Sequence, residues 1–320
     1  MIFSPDYVGV DVSKKHLDLA ITGSSRLRVS NNPAGMARLV QKISSLTRPH
    51  LVCEATGSYT RLMARSLSQH GIALSTINPR RVRDLARADG LLAKTDAIDA
   101  AAILRFAHLM HPDPDPLYDP NAVEMADLVR RRRQMVDMLA MEKQRREHPE
   151  AALAQASIDA HIGFLSSQIG EMDRAITRQI DSDATLRRRA ELLTTIPGIG
   201  QTTAAVLLAE MPELGGIGNK QAAALAGVAP FNRDSGEMRG QAHIAGGRLS
   251  VRCALYMATL SAIRANPPIR DFYKRLRAQG KPGKLAIVAA MRKLITTANA
   301  VLANNTPWHT NNTPWHTNTA

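Results

Sequence analysis

The sequence predicts an α/β protein whose second half is mostly helical, and three observations carry that prediction. Between residues 7 and 31 apolar side chains alternate with polar ones in three short runs, the period of strands that bury one face. From residue 32 to residue 110 helix-like and strand-like segments then alternate. Beyond residue 120 the apolar spacing settles at three and four, the repeat of helices.

Taken in order, residues 7–13, 16–22 and 26–31 read as strands joined by tight turns at Ser13-Lys14-Lys15 and Gly23-Ser24-Ser25. A helix follows from about Pro33 to Leu46, capped by Asn32, with Pro33 at the first helical position, where its missing N–H is not needed. HLVCEA (50–55) is a fourth strand, 59–70 a helix, and ALSTINP (73–79) a fifth strand. Helices near 80–89 and 95–110 precede HPDPDPLYDP, which breaks the pattern. Three meandering strands followed by alternating helices and strands are the ribonuclease H-like order.

The middle differs in kind. A helix over roughly 121–147 carries Leu128, Met135, Met138, Leu139 and the run Arg130-Arg131-Arg132-Arg133, and Pro149 ends it. On the next helix Ile158, Ile162, Leu165, Ile169, Met172, Ile176 and Ile180 form one apolar seam. Such a seam needs a partner helix, either the preceding one in a hairpin or a second copy of the chain. The arginine run reads equally as a solvated face or a basic patch. The expected organisation is therefore a catalytic α/β domain over 1–120, a helical coiled-coil connector over 121–192, a helical domain over 193–303 and a tail over 304–320. That tail repeats NNTPWHT at 304–310 and 311–317, holds both tryptophans, and is expected to be disordered with exposed indoles.

A formal charge of +13 and a pI near 10.2 point to a polyanionic partner, since Lys and Arg release counterions from nucleic acid. The excess sits at the C-terminal end, where residues 193–320 hold 14 basic and 5 acidic side chains. Cys53 and Cys253 are too few for a disulfide scaffold or a zinc cluster, which suggests a reduced, cytoplasmic setting. No uninterrupted apolar run has the length of a membrane span, so no membrane role is expected.

Asp11 interrupts the first strand, where Asp packs poorly. Glu54 closes the fourth strand, and Asp96 and Asp99 in KTDAID share one helix face. Each has an ordinary explanation: a hairpin feature, an exposed strand end, the acidic first turn of a helix. Jointly they point elsewhere. In a ribonuclease H-like sheet the first and fourth strands are neighbours, so the four carboxylates can converge, and unpaired they would repel one another. Magnesium, or manganese in its place, resolves that conflict with hard-oxygen ligands and suits phosphodiester chemistry.

TTIPGIGQTTAAVLLAEM (194–211) reads as helix, tight turn and helix, resembling a helix-hairpin-helix; amides around Gly198 and Gly200 would hold one phosphate, unless this is an ordinary helical corner. In GVAPFNRDSGEMRGQAHIAGGRLSVRCALYM, Ser235 is by spacing alone a turn residue, although Arg233, Arg239, His243 and Arg248 offer groups that hold phosphate or activate a hydroxyl.

VGVDVSKKHLDLA, the Glu of CEATGSY, KTDAIDA, IPGIGQTTAAVLLAEMPELG, KQAAALAGVAPFNRDSGEMRG, GGRLSVRCALYMATL and GKPGKLAIVAAMRKLI together resemble the DEDD transposases of the Piv/MooV-like insertion-sequence family, in order from about residue 7 to 303. The resemblance implies a RuvC-like domain whose metal site matches Asp11, Glu54, Asp96 and Asp99, and a transposase domain whose conserved serine matches Ser235. It implies attack of that serine on a DNA phosphate, strand exchange between target and donor DNA, and a homo-oligomer, dimer or tetramer, in which serine and carboxylates come from different subunits. In some members an element-encoded bridge RNA pairs with both DNAs. Nucleic-acid contacts are then expected at Gly198, Gly200, Arg233, Arg239, Arg248, Arg252, Lys281 and Lys284. The rivals are a RuvC-like nuclease or junction resolvase using water, an actin-like sugar kinase suggested by VGVDVS but lacking the expected Gly at Ser13, and a non-catalytic binder.

Overall fold

The alternating N-terminal segments close into one mixed sheet. The computed structural model of the chain describes residues 5–23, 26–88, 90, 96–147, 151–231 and 243–310, and the chain divides into two compact units, Met1–Asp119 and Pro120–Ala320. In the first, β1 (Asp6–Val12), β2 (His16–Ile21) and β3 (Leu27–Ser30) form an antiparallel meander. β4 (Pro49–Glu54) and β5 (Ala73–Ile77) add in parallel, giving the order β3-β2-β1-β4-β5, consistent with the ribonuclease H-like expectation.

Alternation decides which face each strand residue serves. Val8, Val10 and Val12 pack with Leu17, Leu19 and Leu51 under α1 (Pro33–Ile43) and α2 (Arg61–Gln69). Burying each such side chain contributes roughly 1.5–3 kcal/mol. Asn32 caps α1 as expected, its side chain accepting from Gly35 N at 2.8 Å. The other face, through Tyr7, Val52 and Ile77, packs on Val82 of α3 (Pro79–Ala88) and on Ile103 and Phe106 of α4 (Asp96–Met110).

The second unit is mostly helical. α5 (Pro120–Arg145) and α6 (Ala152–Ser182) form an antiparallel hairpin, tied by Gln179 Nε2 donating to Asn121 O at 2.7 Å and by Arg146 against Asp159 at 2.7 Å. All seven seam residues of α6 are buried or half-buried. Met125 and Val129 of α5 pack on Ile176, and Arg132 forks onto both oxygens of Asp173 at 2.5 and 3.2 Å. Of the two partners the sequence left open for this seam, α5 covers it, because a short connection makes it the nearest apolar partner.

α7 (Ala184–Thr194), α8 (Gln201–Glu210), α9 (Asn219–Leu225), α10 (Leu249–Ala265), α11 (Pro267–Ala278) and α12 (Gly283–Asn304) build one core around Leu193, Leu207, Leu255, Met291 and Leu294. Two short strands, β6 (Pro230–Phe231) and β7 (His243–Ile244), pair beside it. By length and composition α12 is apolar enough to cross a membrane, but Lys284, Arg292 and Lys293 interrupt its apolar residues, and nine of its residues, Leu294 and Ile295 among them, are buried inside this unit. One expectation changes here. Trp308, expected to be exposed in a disordered tail, packs against the core, and its backbone N–H donates to Thr195 Oγ1 at 2.9 Å. An indole offers more apolar area than the polar residues around it forgo in water, which is why the first repeat docks. Residues 311–320 lie outside the described residues.

Candidate active site

Sheet register places the first two acids. β1 and β4 pair from Asp6↔Pro49 to Val10↔Cys53, so the next position on each strand is Asp11 and Glu54. By alternation both belong to the face of Tyr7, Gly9 and Val52, on which α4 lies. Both are half-buried.

Gly9 brings the helix onto that face. A Cβ there would sit 2.3 Å from Ala100 O and 2.5 Å from Leu104 N, so only glycine lets α4 rest on β1. The direction of α4 follows from its ends. His108 and His111 meet Tyr7 at the start of β1, with His108 edge-on at 5.4 Å between centroids and Tyr7 Oη 3.5 Å from His111 Nδ1. The helix therefore runs antiparallel to β1, and its first turn, with Asp99 half-buried just before Ala100, lies toward the Asp11 end. Asp96 opens the same helix; its side chain lies outside the described residues.

Two neighbours of this edge escaped sequence reasoning. Asp18 of β2 stands directly opposite Asp11 in the hairpin register, and Arg28 of β3 holds it with a two-pronged contact at 2.8 and 2.9 Å. That pairing removes the repulsion a second carboxylate would impose on Asp11. The signal was available, since a turn at Ser13-Lys14-Lys15 fixes which β2 residue faces Asp11. Behind the edge, burial pushes the Cys53 thiol up to about 12, with a hydrogen bond from Thr76 opposing and the charges of Asp115 and Glu54 adding to it. Cys53 is thus a neutral packing residue.

The donors fit a hard divalent cation in kind. Asp11, Glu54 and Asp99 are carboxylates from three different elements at one edge of one face, the oxygen chemistry magnesium prefers. Among the described residues no three His, Cys, Asp or Glu side chains already stand as a metal-holding cluster.

In the second unit Ser235, Arg233 and Arg239 lie outside the described residues, but the ends of their segment do not. Pro230↔Ile244 and Phe231↔His243 pair across β6 and β7, holding the two ends of 232–242 side by side, with His243 exposed. Glycines brace the base. A Cβ on Gly247 would fall 2.2 Å from Gly227 N, and Gly247 has φ +71°. Arg252 donates to Gly246 O at 2.8 Å and to Gly227 O at 3.4 Å, and Arg248 pairs with Glu213 at 2.5 Å. Both expected phosphate-binding arginines are therefore engaged within the chain, where they tie these loops together.

Gly198 and Gly200 divide their roles. Gly198, at φ +106°, is where the turn presses on α10, a Cβ there falling 2.5 Å from Ala262 Cβ. Gly200 is exposed at the N-cap of α8, whose first amides have no acceptor within the helix. Lys281 and Lys284 are exposed at the turn into α12. A cleft of about 990 Å³ also opens in this unit, lined by five arginines and five carboxylates, among them Arg132 against Asp173. There a hydrogen bond with Cys253, aided by Asp137 and Glu210, raises the Arg133 pKa against its burial. Balanced charge makes this cleft a poor trap for phosphate.

Comparison with known proteins is consistent along the chain. Residues 8–149 match the DEDD transposase model of IS110 type, and residues 190–274 match the transposase model of the IS116/IS110/IS902 family. The pilin gene-inverting protein of Moraxella bovis is 30% identical over 319 residues, covering 95% of this chain and 98% of that protein. Its namesake in Moraxella lacunata is 31% identical over the same spans. An uncharacterized protein of insertion element IS110 from Streptomyces coelicolor is 32% identical over 142 residues, 43% of this chain and 35% of its own length.

Proposed function

This chain belongs to the IS116/IS110/IS902 family of transposases, enzymes of DNA recombination, and from that premise we propose that it cuts and rejoins DNA through a phosphoserine at Ser235, assisted by carboxylates at Asp11, Glu54, Asp96 and Asp99. One observation carries the reading: β register, the Gly9 contact and the direction of α4 put Asp11, Glu54 and the Asp99 turn at one edge of one sheet face.

In the proposed reaction the Ser235 hydroxyl oxygen bonds to a DNA phosphorus as the bond to the leaving sugar oxygen breaks. The hydroxyl proton passes to a carboxylate, and the leaving oxygen takes up a proton. A hydroxyl of the incoming strand then attacks the phosphoserine, expels the serine oxygen and restores the enzyme. No water is consumed, so each phosphodiester cut is remade. Asp11, Glu54, Asp96 and Asp99 would hold magnesium, which when bound would stabilise charge on the attacking and leaving oxygens. The protein's own part is to hold those carboxylates at a fixed edge and to keep the ends of 232–242 together between β6 and β7. Recombination between two sites also fits the near full-length relatives, which are named for inverting a gene. We include in the proposal an element-encoded bridge RNA that chooses the sites by base pairing, and an oligomer in which one subunit's serine meets another's acids. The basic charge and an aromatic content of only 4% suit a protein that reads backbone shape.

The test is a denaturant-resistant protein–DNA adduct formed by the full chain with magnesium, cognate DNA and copurified RNA. Ser235→Ala is expected to abolish both adduct and joined product. If Ser235→Ala still cuts DNA, water is the nucleophile and the chain acts as a nuclease. Sequencing the copurified RNA is expected to return one discrete structured species; random cellular RNA removes the guide from the proposal.

A further inference from the structure

α3 carries four arginines and one aspartate in ten residues, and its packing leaves most of that charge outward. Val82 is buried against the sheet face, and Arg81 lies over the Phe106 ring at 5.0 Å, so these two fix the helix to its unit. Arg80, Arg83 and Arg87 form a separate exposed row at helical spacing. Asp84 reaches Arg80 and Arg87 only at 3.8 Å, with its side chain 58% exposed, and Arg83 has no carboxylate partner among the described residues. Together with Asn78 the row borders a shallow depression of about 400 Å³.

Its place in the fold gives the row a direction. α3 leaves the sheet after Ile77, the register partner of Glu54, so its first turn starts at the edge that holds Asp11 and Glu54. We propose that Arg80, Arg83 and Arg87 bind the phosphodiester backbone of a nucleic-acid strand alongside that acidic edge. Arginine forks match phosphate geometry, and the row spans about 10 Å, the rise of about three phosphates along one strand. The row offers no aromatic ring for stacking, and its forks suit phosphate, so it is expected to contact backbone. Only the direction of the strand rests on the reading of the acids as the reacting site.

The experiment measures binding of the full chain, without divalent metal, to a random-sequence DNA duplex and to an RNA strand over a range of salt. Replacing all three arginines by alanine is expected to lower the salt slope by about 3 on the nucleic acid that uses the row, one for each lost phosphate contact. A drop on the duplex assigns the row to DNA, and a drop on the RNA assigns it to RNA. An unchanged slope on both overturns the inference, as does an equal drop in Lys42→Ala, on the far side of the sheet. The triple Arg→Lys variant keeps the charge and is expected to restore the slope; failure to restore it also overturns the inference. Because no metal is present, these outcomes are independent of the Ser235 adduct. A normal adduct with an unchanged slope sinks the row alone, and a missing adduct with a lowered slope sinks the serine chemistry alone.

Discussion

The acid-bearing edge and the serine-bearing segment are held in opposite ways. Asp11 and Glu54 sit at the ends of central, paired strands, and Asp99 is on a helix laid directly on β1 at Gly9. Ser235 lies between two strands of two residues each, whose base rests on Gly227, Gly246 and Gly247 and on the Arg252 contacts. In the proposed reaction the carboxylates share a cation and must keep their spacing to a fraction of an ångström, which a stiff sheet suits. In that reaction the serine must reach a separate strand and then release it, which suits a segment flanked by paired strands.

The comparison breaks most visibly through charge. Asp11→Asn and Glu54→Gln keep shape and remove the anion, and recombination is expected to fall by at least about 10²-fold with an unchanged thermal unfolding curve. Near-normal product yield from either variant would remove the acids from the chemistry. Next come the two glycine contacts. Gly9→Ala forces α4 away from β1 and Gly247→Ala forces the two loops apart, each at a cost of about 1–3 kcal/mol in denaturant unfolding. Gly9→Ala is expected to abolish metal-dependent activity, whereas Gly247→Ala should leave metal binding to the first unit intact, measured by calorimetry. Equal losses of metal binding would erase the distinction between the regions.

A smaller effect belongs to the end of the chain. In a Trp315→Phe background the emission of Trp308 is expected at shorter wavelength than free indole, and Trp308→Ala should cost about 1–2 kcal/mol of stability. Fully exposed emission would return the first repeat to the solvent. The smallest is pH dependence. Burial lowers the pKa of His50, Asp115 pulling the other way, and its Nε2 lies 2.7 Å from Ser75 Oγ. The unfolded imidazole, near 6.5, takes a proton that the native one resists, so this stability is present above about pH 6.5 and is lost as pH falls through the lowered native value. Melting of the first unit is therefore expected at a lower temperature near pH 5 than near pH 7.5, and His50→Gln should flatten the difference.

Much of the candidate site was legible because its signals are local. Asp11 stands out against an alternating strand, Glu54 ends another, and Asp96 with Asp99 share a helical face, each recognisable from a few neighbouring residues. Asp18 was legible in principle through the turn register and was missed. The arginine row of α3 was not legible, because four arginines in one short helix look alike until packing assigns Arg81 to Phe106 and leaves the others outside.

By itself the sequence determined the periods: where strands alternate, where helices cap and stop, and that seven residues of α6 form one apolar stripe. The tertiary structure decided the partners: α5 for that stripe, the helical core for α12 and Trp308, and α4 for the face that carries Asp11. The physical reason is range. Backbone geometry imposes periodicity over a few residues, whereas the surface that covers an apolar stripe is chosen by chain closure and packing over distances no local pattern encodes.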